Sequence, residues 1–198
     1  EDTGWTGFAE APLVLPASMT VNAVGDIDAA GASLLRFWLH LQEVYGVTTL
    51  DLVGHSMGGL FSRAAIRLAK EQGAALTFRS LTTIGTPWTG AFSADYAAGD
   101  VPLADCQGDP VCEASMTKFA QVVSESSQGA GQEVTAGYLG GPDGWNERQG
   151  DALNGIPVVL LGGDYFSQAG VPEVWPNDGL VTIGSALAAN VSSTVLSS

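Results

Sequence analysis

The sequence predicts an α/β fold built on a mostly parallel sheet with helices on both faces. The apolar segment Val47–Val53 is followed by an Ala-rich helical pattern over Leu60–Lys70 and then by a second strand-like segment, Leu76–Ile84. A strand, a helix and a strand in this order predict a right-handed crossover between parallel strands. The 198 residues suffice for one α/β domain and leave little room for a second. We therefore interpret residues 1–198 as a single domain.

Two segments before this unit also have clear patterns. Pro12–Leu15 is typical of a short strand. Ala29–Tyr45 carries apolar residues at spacings of three and four, which predicts a helix with one buried face. Either Asp26 or Asp28 is suited to cap its start, and Gly46 is suited to end it.

Further expectations concern exposure and the last strands. The basic residues of the second helix, Arg63, Arg67 and Lys70, are expected on its outer side. Ile156–Leu161 is a continuous apolar run bounded by Pro and Gly, which is typical of a strand buried on both faces. Val191–Leu196 is a candidate for one more strand.

The alternation of strands and helices lapses between about residues 88 and 154, which we interpret as a cap or lid insertion over the site. Within it, Asp109 and Pro110 form a helix-start signal that precedes a helical apolar stripe containing Met116 and Phe119. Such a helix suits a lid or an acyl-pocket wall, and equally a helix packed on the core. The Gly-rich residues 129–150 are predicted to form a mobile loop.

The sequence Gly54-His55-Ser56-Met57-Gly58 lies between the predicted strand and the predicted helix, as a nucleophile elbow requires. Gly54 and Gly58 would allow the strand and the helix to approach closely, since they have no Cβ. Ser56 would be the nucleophile, and the Met57 amide the first donor to an oxyanion. The alternative is a Gly-rich corner with an incidental serine.

A serine nucleophile needs a base and an acid. Asp178, in a turn after the last buried strand, is the preferred acid, and Asp164 is the alternative. His55 is adjacent to the nucleophile and His40 lies upstream of it, so both are interpreted as structural. We therefore expect the base to come from a loop just beyond Ser198.

Composition and cysteine content restrict the partners and the compartment. A net charge of −14 with only 7 Lys and Arg argues against nucleic acid and against anionic membrane surfaces. No run approaches the roughly 18 apolar residues of a membrane span. Cys106 and Cys112 can close a small ring, which favours a secreted protein, although two reduced cysteines in a cytosolic protein remain an alternative.

Taken together, the motifs Gly54–Gly59, Gly85–Pro87 and Asn177–Val181 resemble those of the secreted bacterial triacylglycerol lipase and esterase branch of the α/β-hydrolases. The similarity spans about residues 26 to 185. It implies a Ser-His-Asp triad that hydrolyses esters, with Ser56 as nucleophile, Met57 as oxyanion donor and Asp178 as acid. The His-Gly oxyanion loop and the C-terminal histidine of that branch have no counterpart, as expected of a fragment incomplete at both ends.

The resemblance also sets expectations for ligands. We predict a small or lipid ester substrate, transient contact with a lipid interface, and no cofactor. Some lipases of this branch bind calcium, but no ligand set can be assigned here. The candidate acyl-pocket residues, each of which would also suit a plain core position, are Trp88, Phe92, Met116, Phe119 and Trp175. The alternatives are a thioesterase or peptidase on the same scaffold, and a non-catalytic binding module.

Overall fold

The fold was analysed in a computed structural model of the chain. It describes residues 3–6, 12–15, 17–23, 25–125, 129–141, 143–189 and 191. Within these ranges no helix is long and apolar enough to cross a membrane.

The centre of the molecule is a three-stranded parallel sheet. Its strands are β3 (Thr49–His55), β4 (Thr77–Ile84) and β5 (Val158–Leu161), in the spatial order β3-β4-β5. The first two strands, β1 (Thr3–Thr6) and β2 (Pro12–Leu15), form a separate antiparallel pair. The parallel crossover and the strand at 12–15 that the sequence predicts are therefore confirmed.

Two long helices cover one face of this sheet. Helix α1 (Ile27–Tyr45) begins at Asp26, whose side chain accepts a hydrogen bond from the Ala29 amide at 2.8 Å, and it ends at Gly46 with φ of +67°. Helix α2 (Gly58–Glu71) packs on β3 and β4 and against α1. Of the two caps considered from the sequence, Asp26 is therefore the one used. The main apolar core lies between these helices and the sheet.

The opposite face of the sheet is not covered by the described residues. Val53 is 70% exposed, and Val159 and Leu161 on β5 are each 48% exposed. Because side chains alternate along a strand, β5 buries only every second residue. The expectation that β5 is buried on both faces is therefore wrong for the described chain, and the helices expected on the second face are not seen there. The candidate strand at 191–196 lies outside the described residues apart from Val191.

The segment between β4 and β5 is largely helical. It contains α3 (Phe92–Ala98), a 3-10 turn at Leu103–Cys106 and α4 (Pro110–Glu125), whose first turn is capped by Asp109 Oδ1 at 2.9 Å from the Cys112 amide. The short helices that follow in this segment are α5 (Ala130–Glu133), α6 (Ala136–Leu139) and α7 (Trp145–Arg148). The last helix of the described residues is α8 (Ile183–Ala186), after β5. The helix start at Asp109 and Pro110 is confirmed, whereas the mobile loop expected over 129–150 is replaced by α5, α6 and α7.

A second, smaller core lies between this inserted segment and the residues just before Pro176. Cys106 and Cys112 form a disulfide with a Cα–Cα distance of 5.6 Å, as expected from their spacing. The residues that share this core are Phe92, Val101, Cys106, Cys112, Met116, Val174 and Trp175. This core therefore joins the inserted segment to the segment that follows β5.

Arg63 on α2 is fully buried, contrary to the expectation that it lies on the outer side of the helix. Its guanidinium lies 5.6 Å from the ring centroid of Trp88 and 5.5 Å from that of Trp145. It also donates to the side chain of Asn146 at 2.6 Å and to the Asn146 carbonyl at 3.0 Å. Burial lowers the pKa of Arg63 to about 9, so the side chain is still charged at neutral pH. Two aromatic faces and an amide thus replace water around a buried cation.

Glu133 joins the inserted segment to the start of α1. Its carboxylate accepts from the Ile27 amide at 2.6 Å and from the Tyr138 hydroxyl at 3.1 Å. Burial, followed by the hydrogen bond with Asp26, raises the pKa of Glu133 to about 6, and the same hydrogen bond lowers the pKa of Asp26. The two carboxyl groups therefore share a proton below about pH 6.

Replacement of Arg63 by alanine is expected to destabilise the protein by about 3–5 kcal/mol, because it leaves a cavity and strands the polar groups of Asn146. The matched control is Arg148→Ala, which removes an exposed guanidinium 5.4 Å from the Tyr138 ring and should cost about 0.5–1 kcal/mol. Urea unfolding measures both changes. Equal losses of stability in the two variants would show that the buried contacts of Arg63 contribute no more than an exposed cation–π contact does.

The Glu133→Gln variant should alter the pH dependence of stability. A carboxyl whose pKa is raised on folding contributes stability that is present below the unfolded pKa and is lost as pH rises through the folded pKa. The free energy of unfolding of the native chain should thus fall between about pH 4.5 and pH 6 by more than that of Glu133→Gln. Urea titrations across this range provide the measurement. Glu43→Gln, at an exposed position on α1, should follow the native chain, and a Glu133→Gln profile parallel to the native one would contradict the assignment.

Candidate active site at the elbow after strand β3

Ser56 occupies a strained backbone position between β3 and α2. Its φ of +53° lies in the left-handed region, which residues other than glycine rarely adopt. Its amide donates to the Ile84 carbonyl at 2.9 Å, and its own carbonyl accepts from Thr86 Oγ1 at 2.7 Å. Such strain costs about 1–3 kcal/mol and persists only where surrounding contacts enforce it. The turn therefore has the geometry of a nucleophile elbow.

The glycines around Ser56 have unequal roles. A Cβ at Gly54 would lie 2.5 Å from the Gly59 amide nitrogen, and a Cβ at Gly59 would collide with the side chain of Thr86. A Cβ at Gly58 would meet nothing within 4 Å. The close approach expected at Gly54 and Gly58 is thus found at Gly54 and Gly59, because Gly58 points away from the sheet.

Met57 stands at the start of α2, where its carbonyl accepts the first helical hydrogen bond, from the Phe61 amide at 3.0 Å. The N–H groups of the first helical turn have no partner within the helix, and the helix dipole makes them favourable donors to negative charge. Met57 also lines a cavity together with Ser56. Its position suits the oxyanion role expected from the sequence.

Asp178 lies close to the end of the strand that holds Ser56 in place. A Cβ at Gly85 would be 3.1 Å from Asp178 Oδ2, and a Cβ at Gly163 would be 3.1 Å from the Asp178 Cβ. Oδ1 accepts from the Leu180 and Val181 amides at 3.0 and 2.9 Å, so a local turn fixes the carboxylate. Since the Ser56 amide bonds to Ile84, the serine and this carboxylate converge on the carboxyl end of β4.

A cavity of about 120 Å³ opens beside Ser56. Its walls are apolar and come from the elbow, from the segment after β4, from α4 and α5, and from the turn after Asp178. The lining residues are Ser56, Met57, Pro87, Ala91, Ser93, Phe119, Val122, Val123, Gly131, Val134, Leu180 and Val181. Ser56 thus lies at the edge of an apolar cavity, as an enzyme acting on apolar esters would require.

Of the five residues expected in an acyl pocket, the structure brings Phe119 to this cavity. Phe92, Met116 and Trp175 lie instead in the core around the disulfide, where the Trp175 indole donates to the Asp105 carbonyl. Trp88 is in the main core, with its indole bonded to Thr83 Oγ1 at 3.1 Å. An apolar stripe at helical spacing does not distinguish a pocket wall from a core contact.

Neither histidine lines the cavity. His55 is exposed at the end of β3, and its neighbour in register is Ile84, on the uncovered face of the sheet. His40 lies on α1, with its ring 6.3 Å from that of Tyr45. Asp164, the alternative acid, is exposed, and so is Asp178.

Two side chains at the site carry no clear signal in the sequence. Thr86 belongs to the motif Gly85–Pro87, but its hydrogen bond to the nucleophile's own carbonyl is a tertiary contact. Ser93 lies in the second position of α3, and its place in the cavity depends on how α3 packs. Within the described ranges, no group of three or more His, Cys, Asp or Glu side chains is arranged to hold a metal ion.

Sequence comparisons agree with this geometry. Residues 14–99 match a family described as "Putative serine esterase (DUF676)". Triacylglycerol lipases of Pseudarthrobacter phenanthrenivorans and Burkholderia plantarii are each 37% identical over 98 residues, which is 48% of this chain. The matched part makes up 29% and 26% of those two relatives, so the chain corresponds to under a third of their length.

Solved structures show the same fold. The mature form of the Bacillus licheniformis lipase BlEst2 superposes with a TM-score of 0.54 at 18% identity, covering 83% of this chain and 63% of that one. Its propeptide form gives a TM-score of 0.56 at 19% identity, covering 83% and 34%. With the elbow at Ser56 and the carboxylate of Asp178 at the same end of a parallel sheet, the chain has an α/β-hydrolase fold and is similar over part of its length to lipases and serine esterases.

Proposed function

We propose that this chain forms the catalytic core of a carboxylic-ester hydrolase, and specifically of a triacylglycerol lipase. The observation that carries the proposal is the strained Ser56, held at the edge of an apolar cavity with Asp178 at the same strand end. The lipase names of two relatives support the choice of substrate. The apolar cavity of about 120 Å³ beside the nucleophile suits a short acyl part of such an ester.

The reaction would proceed through an acyl-enzyme. Ser56 Oγ attacks the ester carbonyl carbon while a histidine accepts the hydroxyl proton, and the Met57 amide donates to the oxyanion. Collapse of the tetrahedral intermediate expels the alcohol, which takes the proton from the histidine, and leaves an ester on Ser56. Water, deprotonated by the same histidine, then releases the carboxylic acid. Asp178 orients the histidine and stabilises its cationic form.

The histidine is assigned to a segment outside these 198 residues, since neither His40 nor His55 lines the cavity. The second oxyanion donor is assigned in the same way. The disulfide between Cys106 and Cys112 supports a secreted enzyme. Transient contact with a lipid interface follows from the proposed lipase activity alone. On this account the chain alone hydrolyses esters poorly.

The absence of a histidine from the cavity lining also favours a second candidate, a non-catalytic binding module on the same fold. The two differ in what the gene encodes after Ser198. A histidine codon in the first loop beyond this point supports the hydrolase, whereas a stop codon supports the binding module.

A fluorophosphonate probe is expected to label the protein, expressed with any coding sequence that follows Ser198, at Ser56. Ser56→Ala should abolish labelling, because the phosphonate traps the activated nucleophile. The matched control is Ser62→Ala, a buried serine of α2 whose hydroxyl donates to the Gly58 carbonyl at 2.7 Å. Mass spectrometry of the labelled peptide identifies the site, and labelling that persists in Ser56→Ala would refute the assignment.

In the protein expressed with any coding sequence that follows Ser198, Asp178→Asn should lower kcat for p-nitrophenyl esters by about 10⁴-fold with little change in KM, since an amide no longer holds the histidine in its productive tautomer. The asparagine oxygen can still accept from the Leu180 and Val181 amides, so the turn is kept. Asp164→Asn, at the exposed alternative position, should leave kcat within about twofold. Steady-state kinetics decide between them, and the reverse order of effects would transfer the acid role to Asp164.

A further inference from the structure

Ser93 and Ser56 are the two polar side chains in the lining of the 120 Å³ cavity. Ser93 is fully buried, and its Oγ has no hydrogen-bond partner in the part of the chain that the structure describes. Other buried serines are satisfied: Ser62 donates to the Gly58 carbonyl at 2.7 Å, and Ser185 donates to the Gly90 carbonyl at 2.6 Å. An unpaired buried hydroxyl is costly to the fold, and because Ser93 lines the cavity, a molecule bound there can supply the missing partner.

The size of the cavity limits that ligand. An apolar cavity of about 150 Å³ accepts a molecule as large as benzene, so a cavity of 120 Å³ accommodates an acyl group of about five non-hydrogen atoms. Phe119, Val122 and Val123 of α4 form an apolar wall around it. A short acyl group thus meets an apolar wall and one hydroxyl.

We propose that this cavity selects short acyl groups that carry an ether, hydroxyl or keto oxygen, which accepts a hydrogen bond from Ser93 Oγ. The inference rests on the proposed function, in which the acyl part of the ester lies beside Ser56. A purely alkyl acyl group of the same size leaves the hydroxyl buried and unpaired. Sites built around such a donor discriminate against analogues that lack its partner.

The test is a binding measurement in the Ser56→Ala background, where esters are not turned over. Two matched pairs of esters replace one methylene by oxygen: methyl butyrate with methyl methoxyacetate, and methyl pentanoate with methyl 3-methoxypropionate. Dissociation constants come from NMR titration, with the amides of Ala91 and Val134 as reporters of the cavity. For each pair, the ratio of the two constants is compared between variants, which cancels the different hydration of the two esters.

Adding Ser93→Ala should change this ratio about tenfold in favour of the alkyl ester in at least one pair. A tenfold change in affinity corresponds to the loss of about one net hydrogen bond. Adding Ser62→Ala should leave both ratios unchanged. Because Ser93→Ala removes an unpaired group, its urea midpoint should be equal to or above that of the parent, whereas Ser62→Ala lowers it.

The proposal would be overturned if Ser93→Ala left the ratio of dissociation constants unchanged in both pairs. It would also be overturned if the chemical shift changes were confined to residues away from the cavity, or if none of the four esters bound. The proposed hydrolase activity is tested separately by labelling of Ser56. A shifted ratio without labelling leaves the ligand preference standing and removes the hydrolase. Labelling with unchanged ratios removes the ligand preference alone.

Discussion

The close approach of α2 to the carboxyl ends of β3 and β4 is the constraint on which the site depends. Gly54 and Gly59 allow it, because a Cβ on either would collide with the facing chain. This approach allows two hydrogen bonds to hold Ser56 at its positive φ. The Ser56 amide donates to the Ile84 carbonyl, and Thr86 Oγ1 donates to the Ser56 carbonyl. Without these bonds, a serine would relax out of the left-handed region. The strained backbone of Ser56 therefore depends on the close packing of α2 against the sheet.

The same helix also anchors the inserted segment. Arg63 lies between Trp88, just after the site turn, and Trp145, at the start of α7, and it bonds twice to Asn146. Asn146 in turn donates to the Trp88 carbonyl at 2.7 Å. A leucine at position 63 would fill the space but would not fix the direction of these polar groups. The desolvation of the guanidinium, which lowers the pKa of Arg63, is offset by the two aromatic faces and by the hydrogen bonds to Asn146.

Local signals in the sequence predicted much of this structure. The cap at Asp26, the glycine after α1 and the helix start at Asp109 act within a few residues, so chain position alone reveals them. Arg63 was misplaced because helical periodicity ranks arginine as a surface residue, and burial between two tryptophans is decided by segments 25 and 82 residues away. The cavity position of Ser93 was missed for the same reason. The parallel crossover identifies the strand ends, but not which apolar residues face a cavity.

The chemistry and the selectivity of the site come from different parts of the chain. The strands and α2 present Ser56 and Met57, whereas Phe119 and Val134 of the inserted segment form the cavity wall. Glu133, next to that wall, bonds to the first amide of α1, so the position of the wall is set by the same framework that carries the nucleophile. Because the contacts that strain Ser56 are made without the inserted helices, residues of that segment can change the acyl group that fits while the elbow keeps its geometry. Related chains can therefore share the elbow and still differ in substrate.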